Sequence, residues 1–372
     1  MARVSPKGIV LLIQLLIVSR IRKSLAFHSV NVHVQQHLSE SRRESFFALQ
    51  CQLLGMNCAT PTDFSFSFRG FSLRGGCTDI HCHGWGLLFY QGKGIRCFHD
   101  PDPCSESPIA EFVKNHPLRT HNMIAHIRYA TVGQVALENV HPFTREMWGI
   151  QWSFAHNGDV PLFKGEQMPW IGDIEGEQVY NPVGSTDSEK MFCCILNALK
   201  AKFKTLPSLP MLHSYLKELL NEIVSVDEEG TILNFIMGCG EHTSFAYSWP
   251  GKRPGSQVWN GLHYIVREPP FQKAALVDCD YKVDFAEVTT EGDRVAVIAT
   301  KPLTLNENWV EFERNQLILF DEGKPLLEPE DCINAEIAGH GLRSNAIPST
   351  PELKEDMRRF TLANRSFLGA DI

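Results

Sequence analysis

A layered α+β domain with a mostly antiparallel sheet is what this sequence predicts, and three observations carry the prediction. Strand-like segments fill both ends of the chain after Cys51. Two strong helical segments lie together in the middle, over Ser185–Phe203 and from about Met211 to Val224. No long Ser/Gly/Pro linker and no internal repeat interrupts the text between them.

The elements follow in order. PTDFSFSFRGFSLRGG, Pro61 to Gly76, places Phe64, Phe68 and Phe71 at helical spacing before Gly-Gly, which predicts a short helix with those rings in a core. In WGLLFYQGKGIRCFHD two apolar runs flank Gly92-Lys93-Gly94, a hairpin signal. Ser107 followed by Pro108 predicts a capped helix start. NMIAHIRYAT and WSFAHNGD are expected strands, and the Gly/Pro-rich stretch 160–184 a loop. Thr186 and Glu189 form a capping-box pattern at the head of the first central helix. TILNFIMG, TSFAYSW, GLHYIVRE and RVAVIAT supply further strands.

Bulk properties narrow the class. The chain has 372 residues, with 43% apolar and 21% charged, an ordinary globular composition. Its formal charge is −8. Residues 1–39 hold Arg3, Lys7, Arg20, Arg22 and Lys23 and no acid, so the remainder carries −13, which is −8 less +5. An acidic body without a basic patch argues against nucleic acid as a partner. Eleven cysteines at irregular spacing, with no Cys-x-x-Cys, fit reduced thiols in a cytoplasmic or organellar compartment.

The first 50 residues stand apart. Gly8 to Val18 is an apolar run of 11 residues, too short to span a bilayer comfortably. Its length and the Ser24-Leu25-Ala26 site suit a secretory signal; the acid-free, Arg-containing leader equally suits a mitochondrial transit peptide; a mispredicted first exon is the third reading. The expected division is a leader over 1–50, one domain over 51–326, and a polar, partly disordered tail over 327–372. Cytoplasmic location is expected, mitochondrial or signal-anchored if the leader is real.

Four polar groups sit where a core would not want them. Cys51 opens CQLLGM. Arg128 lies inside an apolar strand, where an arginine needs an anion, either a structural ion partner or a ligand carboxylate. Asn157-Gly158 is either an ordinary turn or a pair of donors for a developing oxyanion. Asp187 either complements a helix dipole or binds an ammonium group.

Together, in this order, these segments resemble the class II, N-terminal-nucleophile glutamine amidotransferase family. The matching text is CQLLGM, RGG, HGWG, AHIRYATVG, HPF, FAHNGD and STDSE, extended by LHYIVREPPF and DRVAVIATKPLTLNENW. It is most similar to the small, single-domain members, which include bacterial amidotransferases and γ-glutamyl amidases acting on glutathione. The resemblance implies a four-layer αββα sandwich. It implies Cys51 as nucleophile, Asn157 and Gly158 as oxyanion hole, Arg128 holding a substrate α-carboxylate and Asp187 an α-ammonium group. Tyr129, Thr131 and His141 take lining and support roles. The implied substrate is glutamine or a γ-glutamyl peptide such as glutathione. A partner subunit is expected where released ammonia is to be used, and neither cofactor nor metal is implied. Cys77, His81, Cys82 and His83 do not match common zinc spacing.

The sequence departs from the family pattern at three places. Gln50 stands where an initiator Met is expected, His83 where Asp is expected, and Cys239 lies in a stretch expected to be acidic. The first matters for chemistry, because the expected base is the α-amine of Cys51 itself. While Gln50 is attached, that nitrogen is an amide. The alternative expectation is therefore a non-catalytic subunit with a blocked nucleophile.

Overall fold

The computed structural model describes residues 51–130, 133–172, 176–251, 260–329 and 331–332. The expected leader over 1–50, predicted site residue Thr131 and most of the tail lie outside the described residues.

In chain order the strands are β1 (Gln52–Asp63), β2 (Trp85–Gln91), β3 (Gly94–Asp100), β4 (Arg119–Ile127), β5 (Phe143–Met147), β6 (Ile150–Asp159), β7 (Ile232–Cys239) and β8 (Thr243–Trp249). They continue as β9 (His263–Arg267), β10 (Lys273–Ala275), β11 (Lys282–Asp284), β12 (Val295–Ala299), β13 (Val310–Glu311), β14 (Gln316–Asp321) and β15 (Lys324–Leu326). The helices that build layers are α1 (Ser65–Leu73), α2 (Pro108–Asn115), α3 (Asp187–Lys202) and α4 (Leu209–Ser225). One sheet has the order β13-β9-β12-β1-β4-β2-β3, a second the order β15-β14-β8-β7-β6-β5, and β10-β11 form a small ribbon. Among the described residues every pairing is antiparallel.

Strand periodicity explains the layering, since successive side chains point to opposite faces. In β12, Val295, Val297 and Ala299 join the cluster that holds Phe64, Phe68, Phe71, Ala110 and Val113 from the α1 and α2 region. The alternate residues Ala296 and Ile298 join Ala155, Ile236 and Ala246 of the other sheet. In β14, Leu317 and Leu319 pack with Leu212, Leu216 and Ile195 of α4 and α3, while Ile318 and Phe320 point inward. Three apolar interfaces thus separate four layers, αββα, as the family pattern implied.

The helix starts have local causes. Ser107 accepts the Ala110 N–H as the predicted cap of α2. Asp63, the last residue of β1, accepts the Ser65 N–H before α1, so Pro61 lies in the strand rather than in the helical stretch the sequence suggested. Thr186 caps α3 by accepting the Glu189 N–H at 3.2 Å. The reciprocal half of the predicted capping box is not made. Glu189 instead accepts from Val183 and Gly184 N–H and pairs with Arg145 at 2.7 Å. A buried carboxylate takes the cation within reach in preference to one more backbone amide. Of the expected tail, Cys332 is fully buried in the core cluster of α3 and α4. Among the described residues, no helix is long and apolar enough to cross a membrane.

Candidate active site

Cys51 stands immediately before β1, the central strand of its sheet, half-buried at the sheet's end. Its neighbour strand β4 ends at Ile127, paired with Gln52, so the residues that follow pass beside the thiol. The Tyr129 N–H donates to Cys51 Sγ at 3.3 Å, and Tyr129 O lies 3.5 Å from it. Burial pushes the thiol up to about 11, opposed by the Tyr129 amide and the charge of Arg128 and assisted by the charge of Asp187. Arg128 and Asp187 therefore both act on the sulfur, and at neutral pH it is a thiol that needs a base.

Arg128 is 3% exposed. Its Nη1 donates to Gln134 O at 2.8 Å and its Nη2 reaches Gly133 O at 3.5 Å. The backbone on either side is anchored to the segment after α1: Arg128 N–H donates to Gly84 O, His83 N–H to Arg128 O, and Ala130 N–H to His83 Nδ1 at 3.0 Å. His83 thus fills the acceptor role a carboxylate would play at this position. Burial and the Arg128 charge hold its pKa below the ordinary value, which keeps that nitrogen an acceptor.

Asn157 and Gly158 end β6, paired with Asn234 and Leu233 of β7. Asn157 Oδ1 is buried with no hydrogen-bond partner, while its backbone oxygen accepts from Asn234 Nδ2 at 3.2 Å. Gly158 has no room for a side chain, because a Cβ would stand 1.9 Å from Ile232 O. Asp187 begins α3 next to this strand end. Its carboxylate accepts from Val160 N–H at 3.1 Å and Ser188 N–H at 3.0 Å, which fixes it at a positive helix terminus.

The structure brings Cys51, Tyr129, Arg128 and Asp187 into one electrostatic site, with Asn157 and Gly158 on the strand joined to Asp187 through Val160. His141 lies behind them. It is 3% exposed, accepts the His156 N–H on Nδ1 at 3.3 Å, and its ring centroid is 4.1 Å from that of His126. His126 and His156 are also buried, and sequence reading missed them. The signal was present: AHIR and AHNG each place a histidine in an apolar strand next to a candidate residue. Asn139 was missed as well and joins the two loops of the site. Among the described residues no group of three or more His, Cys, Asp and Glu is placed to hold a metal ion.

A cysteine at the head of a central strand, set in an αββα sandwich beside a buried Arg and an Asp at the first position of a helix, defines an N-terminal-nucleophile amidotransferase fold. The chain matches the family described as glutamine amidotransferases class-II over residues 50–338 and belongs to it. It is 39% identical over 303 residues to the "Putative glutamine amidotransferase" of Haemophilus influenzae, covering 80% of this chain and 95% of that one. It is 40% identical over 275 residues to the YafJ protein of Escherichia coli K12, which bears the same description, covering 74% and 98%. The crystal structure of a "predicted glutamine amidotransferase" from Pseudomonas aeruginosa PA01 superposes with a TM-score of 0.53 at 34% identity, covering 74% of this chain and 99% of that one.

Proposed function

We propose that this protein hydrolyses a γ-glutamyl amide, glutamine foremost, through a thioester on Cys51. The observation that carries the reading is the Cys51 thiol lying within the fields of both Arg128 and Asp187, two opposite charges suited to the two charged groups of an α-amino acid. Arg128 takes the α-carboxylate and Asp187 the α-ammonium, which orients the distal amide toward the sulfur. The freed α-amine of Cys51, with a reference pKa of about 7.7–8.0, accepts the thiol proton. The thiolate attacks the amide carbon. Asn157 Nδ2 and the Gly158 N–H donate to the resulting oxyanion. The C–N bond breaks as the amine returns the proton to the leaving ammonia, and water then cleaves the thioester to glutamate. Tyr129 holds the sulfur through its backbone, Thr131 follows on the same segment, and His141 supports β6 from behind. The catalytic domain spans 51–326, with 1–50 as a segment to be removed and the tail from 327 packed onto it through Cys332.

The test compares protein whose first residue is Cys51 with protein that retains Gln50, measuring glutamate release from glutamine and from glutathione. The expected result is turnover only by the form beginning at Cys51, since its rival has an amide in place of the base. Equal turnover by both forms overturns the role of the α-amine. A second reading rests on the same thiol, pushed up to about 11: with Gln50 in place the protein acts as a binding subunit. That form should bind glutamate by calorimetry while hydrolysing neither substrate.

A further inference from the structure

Asn139 lies in the short helical turn Leu137–Asn139 and is 2% exposed. Both polar atoms of its side chain are engaged. Nδ2 donates to Gln134 O at 3.1 Å and to Ser185 Oγ at 3.3 Å, and Oδ1 accepts the Ser185 N–H at 2.9 Å. Gln134 O is also the acceptor for Arg128 Nη1. Ser185 is two residues before Asp187 and directly precedes the α3 cap, Thr186. One amide side chain therefore spans the loop that fixes the arginine and the loop that delivers the aspartate.

The surroundings are shaped to permit this. A Cβ on Gly184 would stand 2.4 Å from Asn139 Oδ1, and one on Gly133 would stand 3.3 Å from Asn139 Nδ2. Both loops approach the amide as glycine allows. Glu189 holds the second loop from its other side by accepting the Val183 and Gly184 N–H groups.

We propose that Asn139 is a positioning residue that sets the distance between Arg128 and Asp187, and so selects a ligand carrying a carboxylate and an ammonium on the same carbon. The proposal rests on the reading of Arg128 and Asp187 given above. A ligand held at both ends is sensitive to that distance, whereas a ligand held at one end is not.

The experiment is calorimetric titration of the full chain, wild type and Asn139→Ala, with three ligands. L-Glutamate carries both groups, glutarate lacks the ammonium, and 4-aminobutyrate lacks the α-carboxylate. In the wild type L-glutamate should bind more tightly than either truncated ligand. In Asn139→Ala its Kd should rise about tenfold, while the Kd values of the two truncated ligands change less than about twofold. An equal weakening of all three, or no change in L-glutamate, overturns the role of Asn139. A wild type that does not favour L-glutamate over the truncated pair overturns the assignment of Arg128 and Asp187 instead. Should Asn139→Ala fail to fold, Asn139→Asp carries the same comparison, since it keeps the volume and the acceptor for Ser185 while removing the donor to Gln134.

Discussion

The interfaces between sheet and helix and the interface between the two sheets are built from different side chains. The outer ones are filled by large apolar groups. Phe154 stacks on Phe192 at 5.1 Å and lies 5.2 Å from Phe235, and Phe64, Phe68 and Phe71 fill the opposite side. The inner one mixes aliphatic residues such as Ile124, Ile236, Ile298 and Ile318 with the small Ala155, Ala246 and Ala296 and with buried polar groups. Asn234 donates to Asn157 O and Asn260 O and accepts from Ser248. Asn122 donates to Gly240 O and Thr243 O and accepts from Ser244. The contrast teaches that the helices supply stability by area, while the space between the sheets trades area for orientation. The candidate site lies at the end of that inner space.

Four substitutions or conditions test this contrast. The largest effect is expected at Cys51→Ala, which should lower glutamate release by on the order of 10³-fold or more while leaving the melting temperature near its original value. A large fall in melting temperature would instead make the cysteine a packing residue. Phe154→Ala removes an outer ring stacked on Phe192 and should cost about 3–5 kcal/mol in denaturant unfolding. A loss below about 1 kcal/mol would break the claim that the outer interfaces carry the stability. Asn234→Ala should cost less, about 1–3 kcal/mol from the groups it leaves unpaired, yet reduce turnover because the Asn157 backbone loses its anchor. Unchanged turnover would separate the inner polar network from the site.

The smallest effect per group is a dependence on pH. Burial holds the rings of His126, His141 and His156 below the ordinary histidine range. The unfolded chain protonates these residues as pH drops through about 6.5, and the folded protein does so only at lower pH. Their contribution is therefore undiminished above about 6.5 and declines on acidification, by up to about 1.4 kcal/mol per pH unit for each ring. Melting temperatures from pH 7.5 to 5.5 measure it, and His126→Phe should flatten the slope. An unchanged slope would show that His126 is protonated in the fold.

The outer layers were legible in the sequence because their signal is periodic. Phe64, Phe68 and Phe71 gave α1, and Ser107-Pro108 and Thr186 gave two helix starts, since a cap and an apolar stripe act within one turn. Strand β5 at HPFTREM and the β10-β11 ribbon were not assigned, because short strands held by their neighbours carry little pattern of their own. Cys51, Arg128, Asn157, Gly158 and Asp187 were visible only as polar residues in unusual places, and the family pattern joined them. Asn139 was invisible, and Glu189 was given the wrong partner, for a different reason. Their partners are backbone atoms on a second loop, and no spacing along the chain encodes that meeting.

The placement of Cys51 beside β1 has a consequence for how the molecule fluctuates. Leu54 to Asn57 are paired to β12 on one edge and β4 on the other, with clusters packed on both faces. Amide protons of that stretch can exchange with deuterium only when the whole domain opens, whereas exposed Gln134 and Ser185 lie on surface loops that open at far smaller cost. The two loops joined through Asn139 can therefore part and close many times while the sulfur stays moored to the last element of the domain to let go.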